Sequence, residues 1–341
     1  MNGLAVPDRI LEVHDLSVEI RTSQGVVRPL KNVSFHLDRG EALGLVGESG
    51  SGKTMTLRSI LRLLPRHAGI TSGEVLFNGL DLLSLGQREL RTFRGRRIAM
   101  IFQEPMTALN PLMRVGHQIA EATAVHLGYG RRQARNRATE LMSMVGIPDP
   151  VRRFRAWPHE LSGGMRQRVM IAIALSCEPD LVLCDEPTTA LDVTIQDQIL
   201  KLLVRLCGDM NVSLVYVTHD LPVVAHVCQR LAVMYAGEIV EAGPVDSVLR
   251  CPAHPYTYGL LRSVPDFDNV RLALRPISGS PPELVAIPPG CPFHPRCPLA
   301  REDCAVGEFP LRTVAFDHMS ACRYSDDCAA MVRSNPIHLD A

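Results

Sequence analysis

The chain alternates short apolar runs with stretches of helical periodicity, and this order predicts a mixed α/β fold. The apolar runs are Glu41–Val46, Ile98–Phe102, Leu181–Cys184, Val212–Val217 and Leu231–Tyr235. Because these runs lack a polar face, we expect both faces of each strand to be buried. The pattern therefore predicts a largely parallel sheet covered by helices.

Two other patterns flank the first apolar run. Residues 10–20 and 26–37 alternate apolar and polar positions, which predicts an antiparallel β part. Thr54–Leu64 carries apolar residues at helical spacing, and Pro65 is expected to mark its end. The first domain is therefore expected to combine a mostly parallel sheet with an antiparallel β subdomain.

The middle and the end of the chain differ in composition from the rest. Between Gln103 and Leu161 the pattern is mostly helical and rich in arginine, which predicts a helical insert with a solvated basic face; a partner surface or acidic lipid headgroups are the alternative contact. From about residue 251 prolines cluster and periodicity fades. We expect a domain over 1–250, with a helical subdomain at about 104–176, and a small Cys-rich extension over 251–341.

Charge and hydropathy limit the possible partners. The 341 residues include 36 Lys+Arg and 36 Asp+Glu, so the basic excess typical of nucleic-acid binders is missing. No apolar run approaches the length of a membrane span, and the N-terminus lacks the pattern of a signal peptide. The chain is therefore expected to stay in the cytoplasm.

A phosphate-binding loop lies between the first apolar run and the first helix. The pattern Gly47-x4-Gly52-Lys53-Thr54 matches the P-loop, in which glycines let successive N–H groups point at phosphates. We expect Lys53 to reach the β- and γ-phosphates and the Thr54 hydroxyl to bind Mg²⁺. The predicted nucleotide-binding residues here are Gly47, Glu48, Ser49, Gly50, Ser51, Gly52, Lys53 and Thr54.

Polar residues follow three other apolar runs. Asp185 ends Leu181–Cys184 and is expected to hold Mg²⁺, while Glu186 is expected to orient or deprotonate the attacking water. Gln103 follows Ile98–Phe102 and is a suitable sensor of Mg²⁺ and water. His219 follows Val212–Val217 and could contact the γ-phosphate.

A second anion site is predicted at Leu161-Ser-Gly-Gly-Met165. Ser162 is a good N-cap for the helical run Arg166–Leu175, and Gly163 and Gly164 expose backbone N–H groups. Arg166 and Arg168 oppose the helix dipole, which suggests that an anion arrives there. Two subunits placed head to tail would let each loop close on the other's nucleotide.

The cysteines form two groups. Cys177, Cys184, Cys207, Cys228 and Cys251 are scattered, and we expect them to be small buried residues. Cys291, Cys297, Cys304 and Cys322 crowd the extension, with Cys328 beyond. Four thiolates could hold zinc or an iron–sulfur cluster, and free thiols are the alternative.

At these residues the chain resembles the ABC ATPase family over about 1–250. The matching segments are the P-loop 47–54, the Q-loop Gln103, the signature 161–165, the Walker B segment 181–186, the D-loop Ala190-Leu191-Asp192 and the switch His219. More narrowly, the chain resembles the ATPase subunits of oligopeptide/dipeptide permeases. The segments that match are Phe102-Gln-Glu-Pro-Met-Thr-Ala-Leu-Asn-Pro111, Leu161-Ser-Gly-Gly-Met-Arg-Gln-Arg168 and His254-Pro-Tyr256.

The resemblance implies an ATP-driven peptide importer with the ABC ATPase fold, on the cytoplasmic face of the membrane. Its expected partners are a second ABC ATPase subunit, two transmembrane permease subunits and an extracytoplasmic solute-binding protein. Asp192 would join the nucleotide-binding residues, and the four cysteines would hold a [4Fe–4S] cluster, with Zn²⁺ as the alternative. The family's aromatic adenine contact would fall near Val27, where no aromatic residue occurs, so that contact stays open.

Other functions remain open from the sequence alone. The transported solute could be nickel or another small solute in place of peptide. A soluble ABC ATPase acting on ribosomes or DNA is a second class, although the chain has one ATPase domain and no heptads. A P-loop kinase would leave the signature segment unexplained.

Overall fold

The computed structural model describes residues 8–23, 25–188, 191–263 and 276–334. The strands are β1 (Arg9–Thr22), β2 (Gly25–Asp38), β3 (Ala42–Val46), β4 (Ala68–Phe77), β5 (Leu80–Asp81), β6 (Ile98–Ile101), β7 (Leu181–Asp185), β8 (Ser213–Thr218), β9 (Arg230–Tyr235), β10 (Glu238–Pro244), β11 (Arg312–Ala315) and β12 (His318–Ser320). The helices are α1 (Lys53–Ile60), α2 (Gln87–Phe93), α3 (Pro105–Ala108), α4 (Val115–Leu127), α5 (Arg131–Met144), α6 (Pro150–Arg153), α7 (Gly163–Leu175), α8 (Val193–Asp209), α9 (Leu221–Val227), α10 (Val245–Arg250), α11 (Pro255–Arg262) and α12 (Ser325–Ser334).

The apolar runs form the strands that the sequence predicts. All residues of β3, β7 and β8 are buried, as expected for strands covered on both faces. The alternating segments form β1 and β2, also as expected. The mixed α/β fold class is therefore confirmed.

The end of the first helix differs from the prediction. α1 ends at Ile60 rather than Leu64. Arg62 adopts φ +50°, its N–H donates to the Ser59 carbonyl, and the Leu63 N–H donates to the Arg58 carbonyl. This pair of bonds is a Schellman motif, which terminates the helix before Pro65.

One compact unit contains residues up to Ile10, Asp38–Glu41 and Ser84–Tyr216. Its strands follow the order β8-β7-β6, and β6 runs parallel to β7. The segment for which the sequence predicts a helical insert contains α3 to α6 and is followed by α7. Most of the arginines of this insert are exposed, as the sequence predicts.

A second compact unit contains Leu11–Leu37, Ala42–Leu83 and Val217–Ala341. One sheet follows the order β2-β1-β4-β5, and β1 pairs antiparallel with β4. The other strands follow the order β11-β12-β10-β9-β3, in which β3 runs parallel to β9 and the remaining pairs are antiparallel. The extension therefore contributes two strands to a sheet of this unit.

Short elements fill the rest of the described extension. Single 3₁₀ turns lie at His294–Arg296 and Glu302–Ala305, and α12 packs against α11. Across the described ranges, no helix combines the length and apolarity needed to cross a bilayer.

Candidate functional site

The phosphate-binding loop links β3 to α1 and depends on its glycines. Gly47 has φ +155° and Gly52 has φ +109°. A Cβ atom on Gly47 would lie 2.2 Å from the Met234 carbonyl oxygen, and one on Gly52 would lie 2.7 Å from that of Pro29. Both positions therefore require glycine, since backbone atoms cannot move aside. Ser49 and Gly50 lie exposed at the tip of the loop.

Lys53 closes the loop from the first turn of α1. Its ammonium group donates to the carbonyl oxygens of Gly47, at 2.8 Å, and Glu48, at 3.0 Å. The side chain is 5% exposed, and the neighbouring Thr54 is half-buried. The helix N-terminus and the ammonium group together make this loop an anion-binding arrangement.

Glu48 receives contacts that sequence reasoning missed. Arg296 donates from Nη1 to Oε2 at 2.6 Å and from Nη2 to Oε1 at 2.9 Å. The backbone N–H of Glu48 donates to the Tyr256 hydroxyl at 2.8 Å. Tyr256 lies in the His254-Pro-Tyr256 segment of the family resemblance, so this motif could have indicated its importance. Arg296 lies between two cysteines and belongs to no motif that would have indicated its role.

His219 belongs to the same unit as the phosphate-binding loop. It follows β8 directly and is exposed, while the Asp220 N–H donates to the Thr218 hydroxyl at 3.0 Å. The structure thus leaves the imidazole accessible at the end of the strand. Its contact with a γ-phosphate stays a prediction.

In the other unit, the structure brings Gln103 and Glu186 together. Asp185 ends β7 and is 2% exposed. Glu186 adopts φ +44°, a left-handed conformation that is unusual outside glycine. The Gln103 amide donates from Nε2 to Glu186 Oε2 at 3.4 Å. A carboxylate and an amide side by side can together hold a water molecule, as their predicted roles require.

The signature segment begins a helix earlier than its apolar pattern indicates. α7 starts at Gly163, directly after Ser162, whose hydroxyl accepts from the Met165 N–H at 3.3 Å. The predicted N-cap is therefore confirmed. A Cβ atom on Gly164 would lie 2.8 Å from Ile195 Cγ2, so this glycine permits close packing against α8.

Two arginines of α7 make contacts that change their interpretation. Arg166 donates from Nε to the Pro158 carbonyl at 2.7 Å, and Arg168 donates from Nη1 to the Val145 carbonyl at 2.6 Å. Both guanidinium groups therefore have partners within the protein. The arrival of an anion at this helix start stays a prediction.

Asp192 of the D-loop caps the next helix. Its Oδ1 accepts from the Ile195 N–H at 3.0 Å, and it directly precedes α8. Leu191 lies 3.4 Å from the position of a Cβ atom on Gly163. The signature and D-loop segments thus pack together, whereas Ala190 lies outside the described residues.

The four crowded cysteines line one cavity in the extension. Its volume is about 20 Å³, and its other walls include His254, Phe293 and Tyr324. The Cys291 N–H donates to the Cys304 carbonyl at 2.9 Å, which joins two of the cysteine segments. The clustering expected from sequence is thus present.

Burial and the nearby thiols make Cys291, Cys297 and Cys322 hard to ionise. Burial, with a smaller contribution from the neighbouring cysteines, raises the pKa of Cys297 to about 11 and that of Cys322 to about 12. Burial also raises the pKa of Cys291. Within the part of the chain that is described, no three His, Cys, Asp or Glu side chains form a group that could hold a single metal ion.

One prediction about the scattered cysteines is wrong. Cys177, Cys184, Cys207 and Cys228 are buried as expected, but Cys251 is exposed. It caps the C-terminus of α10 at the surface, directly before the buried Pro252.

The loop, the carboxylates and the signature helix on this α/β framework define a P-loop ATPase of the ATP-binding cassette type. The fold is similar to a dimeric, post-hydrolysis state of an ATP-binding cassette bound to ADP and Pi, with TM-score 0.62, 29% identity, and coverage of 69% of this chain and 98% of that one. Residues 30–189 match the model described as ABC transporter, and residues 240–304 match the one described as Oligopeptide/dipeptide transporter, C-terminal region.

Curated relatives extend the similarity to almost the whole chain. The dipeptide transport ATP-binding protein DppD of Bacillus subtilis (strain 168) is 48% identical over 324 residues, covering 94% of this chain and 96% of that protein. The oligopeptide transport ATP-binding protein OppD of Salmonella typhimurium is 46% identical over 313 residues, covering 92% and 93%. This chain belongs to the ABC transporter ATP-binding subunits of the oligopeptide/dipeptide permease family.

Proposed function

We propose that this chain is the ATP-hydrolysing subunit of a membrane importer for oligopeptides or dipeptides. The observation that carries the proposal is similarity along nearly the whole chain, including the C-terminal region, to proteins named for dipeptide and oligopeptide transport. These names favour peptide over nickel or another small solute as cargo, and transport over a soluble role.

Each of the residues described above would have its own role in ATP binding and hydrolysis. The loop glycines and Lys53 would bind the phosphates of ATP, and Glu186, assisted by Gln103, would orient the attacking water. His219 would contact the γ-phosphate. Thr54, Gln103 and Asp185 carry the oxygen donors that Mg²⁺ prefers, and the ion would neutralise phosphate charge.

The signature segment supports a requirement for a second ATPase subunit. Ser162, Gly163 and Gly164 begin a helix whose N-terminal N–H groups suit an anion, and Asp192 caps the helix packed beside it. We infer that a related or identical subunit is arranged head to tail with this one. Two transmembrane permease subunits and an extracytoplasmic solute-binding protein would complete the importer, with this chain bound peripherally at the cytoplasmic face.

Purification from its native membrane tests this proposal. The tagged chain should copurify with a second ATPase and two permease subunits, and the reconstituted complex should import peptide only with ATP. If the complex imports nickel but not peptide, the proposed cargo is wrong. Copurification with ribosomes or DNA and not with membrane subunits would refute the transport role.

We also infer that the cysteine cavity holds a [4Fe–4S] cluster. Four thiols around one cavity match the Cys₄ ligand set of such clusters. Zinc binds thiolates at about 2.3 Å and so needs four sulfurs converging on one point, whereas each cysteine of a cluster meets a different iron. Zn²⁺ is the alternative occupant of the cavity, since it also binds four thiolates.

Iron and sulfide analysis after anaerobic purification tests the cluster. About four irons and four sulfides per chain are expected. Replacing Cys291 and Cys304 with serine should abolish both signals, while Cys251→Ser, which alters an exposed cysteine outside the cavity, should leave them intact. A colourless, iron-free protein that folds normally would refute the inference.

A further inference from the structure

We propose that the C-terminal extension supplies a positioning residue to the phosphate-binding loop: Arg296, acting through Glu48, sets the affinity for ATP. The inference rests on the proposed role of this loop in nucleotide binding and goes beyond it, because the motif itself contains no part of the extension. All the groups involved belong to one compact unit.

The contact between the two residues is a two-point ion pair. Both terminal nitrogens of Arg296 donate to the two carboxylate oxygens of Glu48, at 2.6 and 2.9 Å. The Arg296 side chain is 5% exposed and that of Glu48 26%. Such fork-to-fork pairs fix orientation as well as distance, and water screens this one weakly because the arginine is buried.

Contacts other than the one with Glu48 also hold the Arg296 side chain in place. Its Nε donates to the Ser278 carbonyl at 3.1 Å, and its Nη1 also donates to the Tyr235 hydroxyl at 3.2 Å. The guanidinium lies 5.8 Å from the Tyr235 ring centre and 5.9 Å from that of Phe293. Little side-chain entropy is left to lose, so the pair can hold Glu48 firmly.

Glu48 connects this arginine to the lysine that would bind phosphate. Its carbonyl oxygen accepts from Lys53 Nζ at 3.0 Å, and its N–H donates to the Tyr256 hydroxyl at 2.8 Å. One residue of the loop is therefore fixed through its side chain and through both backbone groups. The position of Lys53 depends on this arrangement.

Loss of Arg296 would leave a carboxylate uncompensated within the phosphate-binding loop. The negative charge would repel a triphosphate, and the freed side chain could compete for the Lys53 ammonium group. Both effects act on ATP and on its transition state alike. We therefore expect weaker binding and a higher KM, with kcat little changed.

The turn that carries Arg296 also forms part of the cysteine cavity. The 3₁₀ turn His294–Arg296 lies between Cys291 and Cys297, and the His294 N–H donates to the Cys291 carbonyl at 3.0 Å. The extension thereby contributes to nucleotide binding through this turn, whatever group the cavity holds.

Equilibrium binding of ATP to the full-length chain tests the inference. Arg296→Met should raise the Kd about tenfold, the loss expected for one strong charge-assisted contact. Arg296→Lys keeps the charge but not the two-point contact. Its Kd should lie between those of the unmodified chain and of Arg296→Met. The double variant Glu48→Gln, Arg296→Met should bind at least threefold more tightly than Arg296→Met alone, because the uncompensated charge is gone.

Two controls separate the possible failures. Arg301→Met removes the same charge from the extension, where Arg301 pairs with Asp327, and should leave the Kd unchanged. Lys53→Ala should abolish binding. If Lys53→Ala binds normally, the proposed role of the loop fails; if only Arg296→Met binds normally, this inference alone fails. If the double variant binds ATP no more tightly than Arg296→Met, Arg296 acts only through packing and not through the charge of Glu48. If Arg296→Met does not fold, the Kd values of Arg296→Lys and of the double variant decide.

Discussion

Glu186 combines a strained backbone conformation with a proposed catalytic role. Its φ of +44° costs about 1–3 kcal/mol for a residue with a side chain, and the surrounding structure must hold it there. The Gln103 amide bonds its carboxylate at 3.4 Å. Asp185 before it is 2% exposed, whereas Glu186 is only half-buried, so the two neighbouring acids lie in different surroundings.

Replacing Glu186 with glutamine should separate ATP binding from ATP hydrolysis. We expect Glu186→Gln to keep its affinity for ATP, because the side chain stays polar and similar in size. Its turnover should fall about 10²–10⁴-fold, because the proposed general base is lost. Steady-state phosphate release and equilibrium binding measure the two. Glu178→Gln, an exposed carboxylate paired with Arg137, is the matched control. Near-normal turnover of Glu186→Gln would remove Glu186 from this role.

Residues within local motifs could be predicted, and residues acting over long sequence distances could not. The turn at Gly47–Thr54 and the Ser162 cap follow from short patterns. The hydrogen bond of Gln103 to Glu186 follows from the pairing of β6 with β7, which only the structure shows. Arg296 lies 248 positions from Glu48, and nothing in its neighbourhood specifies an acidic partner. Such a contact becomes visible only once the extension is folded.

At the scale of elements, the strands were better predicted than the ends of helices. Apolar runs fix where β3, β7 and β8 lie because burial on both faces leaves a continuous signal. The end of α1 depends on the left-handed conformation of Arg62, a residue type that gives no such signal. The start of α7 lies at two glycines, which are poor helix formers by propensity alone.

Two helical glycines should respond in opposite directions to the same substitution. In α4, a Cβ atom on Gly116 would lie 2.2 Å from the Phe154 ring and 2.6 Å from its carbonyl oxygen, so Gly116→Ala should destabilise the protein by about 1–3 kcal/mol. In α8, Gly208 has open space, and Gly208→Ala should stabilise it by about 0.5–1 kcal/mol. Chemical denaturation measures both. Equal effects would show that the close packing of α4 against Phe154 is not what restricts Gly116.

At the scale of the molecule, a buried hydrogen-bond network ties the extension to strand β10. Glu241 is fully buried, accepts from the N–H groups of Ala253 and His254 at 2.7 and 3.0 Å, and lies 2.7 Å from His318 Nε2. His318 begins β12, which pairs with β10. A carboxylate so far from water requires all three partners.

Removal of the histidine should therefore weaken the attachment of the extension. We expect His318→Ala to lower the free energy of unfolding by about 1–3 kcal/mol, because Glu241 loses a hydrogen bond without gaining water. Phe316→Ala, in the same hairpin but 95% exposed, should change it little. Denaturant titration and limited proteolysis of the extension provide the measurements. Equal stabilities for the two variants would contradict this account of the network.

The hairpin formed by β11 and β12 has a further consequence for how the protein behaves in solution. Without β12, the edge of β10 would expose backbone N–H and C=O groups that can pair with strands of other molecules. The outer strand β11 is a weaker template for such pairing, because it is only four residues long. Variants shortened at this hairpin would therefore be expected to precipitate even with every group needed for ATP hydrolysis intact, and their inactivity would report lost solubility rather than lost catalysis.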